Sequence, residues 1–244
     1  MQTDARAARR EFERLIGDAR LDLPIGFADA VERYIGRLLD ANLRLNLTRV
    51  VAPEAVARLH LLDAVSVLPL LDRLPRSTRC VDLGSGGGVP GLVLALARPE
   101  QRWVLVDSVR KKADAMRDFA AALGVDNVEV VAERAEVLGR HPDHREGHDV
   151  VAARACAALP VLAEYALPLL AVGGTLVAWK GPLTDDEVRS GRLAASACGG
   201  GPPSVHPSGF SALGDHRFVL VAKEEPTPDR YPRRPGEPTR RPLA

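Results

Sequence analysis

The run Val81-Asp82-Leu83-Gly84-Ser85-Gly86-Gly87-Gly88-Val89-Pro90-Gly91 concentrates residues whose types and spacing can do chemistry. It reads as the end of a buried strand, a glycine turn and a helix opened by Pro90. Glycine lets the main chain turn tightly and approach a ligand closely, and a helix start offers unpaired N–H groups. In an open α/β sheet that combination builds a nucleotide pocket beyond the strand ends. Asp82, just ahead of the first glycine, adds a carboxylate within reach of a ligand. Asp107 closes the next apolar run, Leu105-Val106-Asp107-Ser108, where a carboxylate can accept hydrogen bonds from both hydroxyls of a ribose. Its competing role is to cap the helix beginning near Val109, a task that Ser108 can take instead. Behind a third run stands Glu133-Arg134-Ala135-Glu136, where a backbone group and a carboxylate can recognise an adenine edge or simply decorate a helix surface.

Gly86, Gly88 and Gly91 also satisfy the GxGxxG spacing of dinucleotide-binding turns, a weak signal taken alone. Asp82 argues against that ligand, because the strand entering such a turn is ordinarily apolar throughout. Cys80, Cys156 and Cys198 are odd in number, widely spaced and without a CxxC pair, as expected of reduced cytosolic thiols rather than a disulfide frame or metal site. Cys156 reads as a small packed residue and not as a nucleophile. The basic candidates for phosphate contacts are Arg154 and Lys180, both at the C-terminal ends of strands, with Arg44, Arg49, Arg58, Arg233, Arg234, Arg240 and Arg241.

The elements that must position these groups follow from periodicity. Apolar spacings of three and four predict helices near 5–16, 26–43 and 53–71, punctuated by Pro24, Pro53 and Pro75. From Arg79 the pattern changes to short Val/Leu/Ala runs alternating with helical segments. Strands are expected at 79–83, 103–107, 128–131, 150–153, 175–180 and 218–223, with helices at 109–123 and 159–170. Such alternation predicts a mostly parallel sheet covered by helices on both faces. Three regions follow: an N-terminal helical cap over 1–75, an α/β domain over 76–223 and a tail over 224–244. Six prolines in that tail predict an extended, mobile segment. The net charge of +1 excludes a globally basic nucleic-acid binder while leaving room for local patches. Without a leader-like start or a membrane-length apolar run, the chain is read as cytoplasmic and as making no membrane contact.

Taken together, Asp82-x-Gly84-x-Gly86 and the strand-closing Asp107 resemble the class I S-adenosylmethionine-dependent methyltransferases, whose fold is Rossmann-like. The fuller set is more specific: Val89-Pro90-Gly91, Asn46-Leu47-Thr48, His60-Leu61-Leu62-Asp63, Lys111-Lys112, Arg134-Ala135-Glu136, Arg154-Ala155, Trp179-Lys180-Gly181 and Arg230-Tyr231-Pro232-Arg233-Arg234-x-Gly236. With these, nearly the whole chain is similar to the glucose-inhibited division protein B family of small-subunit rRNA guanine-N7 methyltransferases. The resemblance implies S-adenosyl-L-methionine as cofactor, held by Asp82, Gly84, Gly86, Val89, Asp107, Ala135, Glu136 and Arg154, with no metal. It implies N7 of a guanine in the decoding-region (530) loop of 16S rRNA as acceptor, presented in the small ribosomal subunit or its assembly intermediate, and a monomeric enzyme. Ala64 departs from the Ser that many relatives carry there, so the role of His60 and Asp63 stays open.

That chemistry suits what the chain lacks. Guanine N7 carries an in-plane lone pair and no proton, so its methylation needs no general base. Positioning and electrostatic support suffice, with Arg154 and Lys180 as candidates. Methylation of an adenine amino group would call for an Asn/Asp-Pro-Pro-aromatic run where this chain has Ala153-Arg154-Ala155-Cys156. Two alternatives remain open at this point: an NAD(P)-dependent oxidoreductase, suggested by the GxGxxG spacing, and a non-catalytic rRNA-binding assembly factor.

Overall fold

A computed structural model of the chain describes residues 2–17, 19, 21–73 and 78–243. Pro75 and the expected boundary between 75 and 76 lie outside the described residues. Helices α1 (Gln2–Ile16) and α2 (Phe27–Leu45) form where the apolar spacing predicts them, and α2 buries Val31, Ile35, Leu38 and Leu39. Asn46 stops α2 in the left-handed region at φ 49°, its N–H closing on the Asn42 carbonyl. Arg9 of α1 pairs with Asp29 and Glu32 of α2.

The long helix expected at 53–71 is instead a broken series. It is α-helical over Pro53–Val56 (α3), π-helical over Ala57–Leu62 and α-helical again over Asp63–Val65 (α4). A turn at Ser66, whose hydroxyl donates to the Asp63 carbonyl at 2.8 Å, then leads to Leu68–Leu71 (α5). Pro69 explains the break, since it brings no N–H to continue the ladder and crowds the residue before it.

The remaining elements alternate: β1 (Arg79–Leu83), α6 (Gly91–Ala97), β2 (Arg102–Val106), α7 (Arg110–Leu123), β3 (Val128–Val131), α8 (Ala135–Leu138), β4 (His148–Arg154), α9 (Leu159–Ala166), β5 (Leu170–Lys180), α10 (Asp185–Ala197), β6 (Ser204–Pro207), β7 (Arg217–Ala222) and α11 (Glu237–Arg240). The strand order is β3-β2-β1-β4-β5-β7-β6. The chain divides into two compact units. One comprises Met1–Ser77, Ser85–Ala132 and Ser208–Gly214; the other comprises Thr78–Gly84, Glu133–Pro207 and Asp215–Ala244.

In the first unit β2 and β3 run parallel, Val106 opposite Val131, and Trp103, Leu105 and Val106 are buried. In the second, β1, β4 and β5 are parallel, with Asp82 opposite Ala152 and Arg154 opposite Trp179. Antiparallel β7 and β6 continue that edge. The Val/Leu/Ala runs make fully buried strands, as parallel sheets require. β5 begins five residues before the expected start because it runs through Gly173 and Gly174. A Cβ on Gly174 would lie 2.9 Å from the Asp149 carbonyl oxygen, and the β4 register shifts beside it.

Two elements escape the periodicity. All four residues of β6 are exposed, so it shows no alternation. α10 carries a capping signal instead: the Thr184 hydroxyl accepts from the Glu187 N–H at 3.1 Å.

The tail departs from expectation most. Arg140 donates to the Asp229, Arg230 and Pro232 carbonyls, and Arg145 donates to those of Thr227 and Tyr231. Lys223, 1% exposed, donates to the Leu167 carbonyl at 2.8 Å and to the Thr227 hydroxyl, and pairs with Glu146 at 3.2 Å. A proline-rich segment has carbonyls but few N–H groups, so arginine and lysine side chains supply the donors that tie it down.

His148 opens β4, 2% exposed, with His144 stacked on it. Burial first, then the Arg79 and His144 charges, push its pKa down to about 4. The folded protein therefore holds it neutral while the unfolded chain protonates it near pH 6.5. Stability should fall by on the order of 3 kcal/mol as pH drops from 6.5 to 4. Urea midpoints at pH 7 and 4.5 check this, and His148→Gln should flatten the loss.

Candidate cofactor site

In the first unit the glycine loop is built by its own backbone. Ser85 N–H donates to the Val106 carbonyl at 3.0 Å, and the Gly88 and Val89 N–H groups both donate to the Ser85 carbonyl. Leu92 N–H donates to the Gly88 carbonyl. Gly86 and Gly88 stand at φ 61° and 99°, angles closed to most side chains. The loop's N–H groups, which the sequence offers to a ligand, are thus largely spent within the unit. A dinucleotide pyrophosphate depends on such groups being free at a helix N-terminus. A ligand without phosphates does not.

Asp107, 7% exposed, is the residue that holds the loop. One carboxylate oxygen accepts from Gly86 N–H at 3.0 Å, and the other accepts from Val109 N–H at 2.8 Å. Ser108 does not cap α7: the residue preceding the helix is Val109, it has no side-chain cap, and Asp107 takes its N–H. The two roles weighed for Asp107 are therefore compatible. A carboxylate has about four lone-pair sites, and two remain for the hydroxyls of a ribose.

The loop is braced from below by α2. Tyr34, fully buried, donates its hydroxyl to the Gly87 carbonyl at 2.7 Å and meets Phe119 of α7 edge-on. A Cβ on Gly87 would lie 2.7 Å from a Leu38 methyl and 3.4 Å from Leu47 Cβ, so the backbone lies directly on these side chains. Leu47 belongs to the Asn46-Leu47-Thr48 motif, and Thr48 Oγ1 lies 2.9 Å from His60 Nε2 while accepting from Val50 N–H. His60 and Asp63 are both buried, His60 within the π-helical turn.

In the second unit Asp82 is fully buried in β1, and Gly84 follows at φ 72°. A Cβ on Gly84 would lie 3.2 Å from Cys156 Sγ, so Cys156 is the wall behind the loop. Arg154 ends β4, and Ala155 behind it holds φ 51°, a strained angle for a residue with a Cβ. Cys80 and Cys198 are buried, and burial pushes the Cys198 thiol up to about 12. Ala135 and Glu136 open α8, with Glu136 2% exposed. Burial works against the Glu136 charge, but Arg134 and backbone N–H donors outweigh it and hold the carboxyl below its usual range.

Two basic candidates are turned inward. Lys180 donates to the Ala157 carbonyl at 2.9 Å and to Glu187 at 2.8 Å, locking the start of α9 to α10. Arg233 is paired with Glu164, which is fully buried. Arg44, Arg49, Arg58, Arg234, Arg240 and Arg241 stay exposed. Among the described residues no group of His, Cys, Asp and Glu could hold a metal, and no helix is long and apolar enough to cross a membrane.

Tyr34→Phe should cost about 1–3 kcal/mol by stranding the buried Gly87 carbonyl. Gly88→Ala should cost at least as much, because φ 99° strains it and its Cβ would press on Leu92 at 3.1 Å. Urea titration of both variants checks the order.

Comparison with known proteins separates fold from family. A mutant of MtNAS bound to S-adenosylmethionine superposes with a TM-score of 0.53 at 17% identity, covering 92% of this chain and 98% of that one. The O-methyltransferase TomG from Streptomyces achromogenes, in complex with SAM, gives a TM-score of 0.53 at 21% identity over 79% of this chain and 90% of its own. These likenesses establish the class I methyltransferase fold. The sequence relatives are much nearer. Ribosomal RNA small subunit methyltransferase G of Deinococcus radiodurans is 44% identical over 97% of this chain and 93% of its own. The protein of that name from Rubrobacter xylanophilus is 40% identical over 98% and 92%, and that from Moorella thermoacetica 38% over 87% and 89%. The family model described as rRNA small subunit methyltransferase G matches residues 28–209. The chain therefore belongs to the rRNA small subunit methyltransferase G family.

Proposed function

We propose that this protein transfers a methyl group from S-adenosyl-L-methionine to N7 of a guanine in the decoding-region loop of 16S rRNA. It is an S-adenosylmethionine-dependent rRNA methyltransferase, as its family membership requires. The observation that favours this cofactor over a dinucleotide is the glycine loop, whose N–H groups at Gly86, Gly88 and Val89 are internally paired. The family relationship disfavours both the oxidoreductase and the non-catalytic reading.

In this reading Asp107 takes the ribose hydroxyls with its two remaining acceptor sites. Gly84, Gly86 and Val89 let the main chain lie against the cofactor, and Ala135 and Glu136 read the adenine edge. Asp82 and Arg154 complete the cofactor contacts. When bound, S-adenosylmethionine supplies a sulfonium-activated methyl group. The protein's part is to hold guanine N7 in line and to exclude competing orientations, because N7 has no proton to remove. Arg154 is the positioning candidate. Lys180 supports the site indirectly, by fixing the segment that follows β4. The α/β domain runs from about residue 76 to 223, with the helical segment ahead of it and the tail behind. The exposed arginines Arg44, Arg49, Arg58, Arg234, Arg240 and Arg241 meet phosphates of the small subunit or its assembly intermediate. The enzyme acts as a cytoplasmic monomer.

Mapping N7-methylguanine in 16S rRNA from cells with and without this gene tests the reaction; an unchanged map overturns it. Asp107→Asn tests the cofactor site. It should weaken S-adenosylhomocysteine binding tenfold or more, roughly 1.4 kcal/mol, in a calorimetric titration in which NADH gives no heat. Binding of NADH instead would restore the oxidoreductase reading.

A further inference from the structure

The helix that carries Ala135 and Glu136 is four residues long. One helical turn does not repay its own nucleation, so something outside it must hold it in place. Within the same unit that role falls to the C-terminal segment. The Glu136 carboxylate oxygen that accepts from Arg134 at 2.9 Å also accepts from Gly236 N–H at 2.7 Å. At the other end of the helix, Arg145 donates to the Gly139 carbonyl at 3.0 Å and, with the same nitrogen, to the Tyr231 carbonyl at 2.9 Å. Arg140 donates to the Pro232 carbonyl at 2.8 Å, and a Cβ on Gly139 would lie 3.1 Å from the Pro232 ring. The helix is thus gripped at both ends by residues 227–236.

The grip is itself anchored. Arg233 places two guanidinium nitrogens and its own backbone N–H on the buried Glu164 carboxylate, at 2.6 to 2.9 Å. Thr239 meets the Tyr165 hydroxyl at 2.9 Å. Gly236 holds φ 81°, which turns its N–H toward Glu136 and would strain any residue bearing a Cβ.

We propose that the C-terminal segment is a working part of the cofactor site, in which Arg233 and Gly236 are positioning residues that set Ala135 and Glu136 for the adenine edge; this rests on the cofactor contacts read above for those two residues. The tail and the cofactor then stabilise the same arrangement, and each should strengthen the other's hold.

The test uses the full chain. Arg233→Ala should raise the calorimetric Kd for S-adenosylhomocysteine roughly tenfold, while KM for the small-subunit substrate at saturating cofactor stays within twofold of wild type. Arg233→Lys, which keeps the charge but not the two-pronged geometry, should recover part of the loss. In the unaltered protein, S-adenosylhomocysteine should slow hydrogen exchange at the amides of residues 227–237. An Arg233→Ala protein that folds and binds with unchanged Kd overturns the proposal. So does tail exchange that ignores the ligand, a measurement that needs no variant and decides the matter even if Arg233→Ala fails to fold. Unaltered protein that binds no S-adenosylhomocysteine would overturn the cofactor reading instead.

Discussion

The geometry of the glycine loop depends on one carboxylate. Asp107 spends an oxygen on Gly86 N–H and the other on Val109 N–H, so a single side chain fixes both the loop and the entry to α7. Because Asp107 is buried, those donors are its compensation for leaving water. Removing the charge would leave two backbone groups unsatisfied and release the left-handed turns at Gly86 and Gly88. Tyr34 and the Leu38 and Leu47 side chains then set how far the loop can move, and they belong to the helical N-terminal segment. That segment is therefore structural support for ligand binding as well as a covering element.

The parts of the fold that were legible in sequence share a physical property: their residues are buried on a regular period. β1 at 79–83 and β3 at 128–131 stand where the Val/Leu runs place them, and α2 follows its three- and four-residue spacing. Asp82, Gly84 and Asp107 were legible for a different reason, since an acid or a glycine at a strand end has few purely structural uses. β6 was not legible because none of its residues is buried. The 53–71 segment reads as one continuous helix because apolar spacing does not register a π turn or the effect of Pro69 on the residue before it.

Charged residues were the least legible class. Lys180, Arg233 and Lys223 could each be taken for surface charges, yet each points inward to a carboxylate or to carbonyls. Nothing local distinguishes them, because the partners Glu187, Glu164 and Glu146 become neighbours only after folding. The tail illustrates the same gap. Its prolines argue correctly against helix and sheet pairing over most of its length, but carbonyl acceptors without N–H donors still attract guanidinium groups, and Arg140 and Arg145 supply them. Mobility does not follow from composition when the donors lie elsewhere in the chain.

The π-helical turn at Ala57–Leu62 has a consequence for how this segment tolerates changes in length. A π turn accommodates one residue more than an α turn would. Deleting a single residue there would restore an unbroken α-helix rather than open a gap. The cost would be rotational: every later side chain, Asp63 included, would swing by about 100° around the helix axis. Length variation that an ordinary loop absorbs silently would here reset which side chains face inward. Homologues that differ by one residue in this stretch would differ in the orientation of His60 relative to Thr48, and not merely in length.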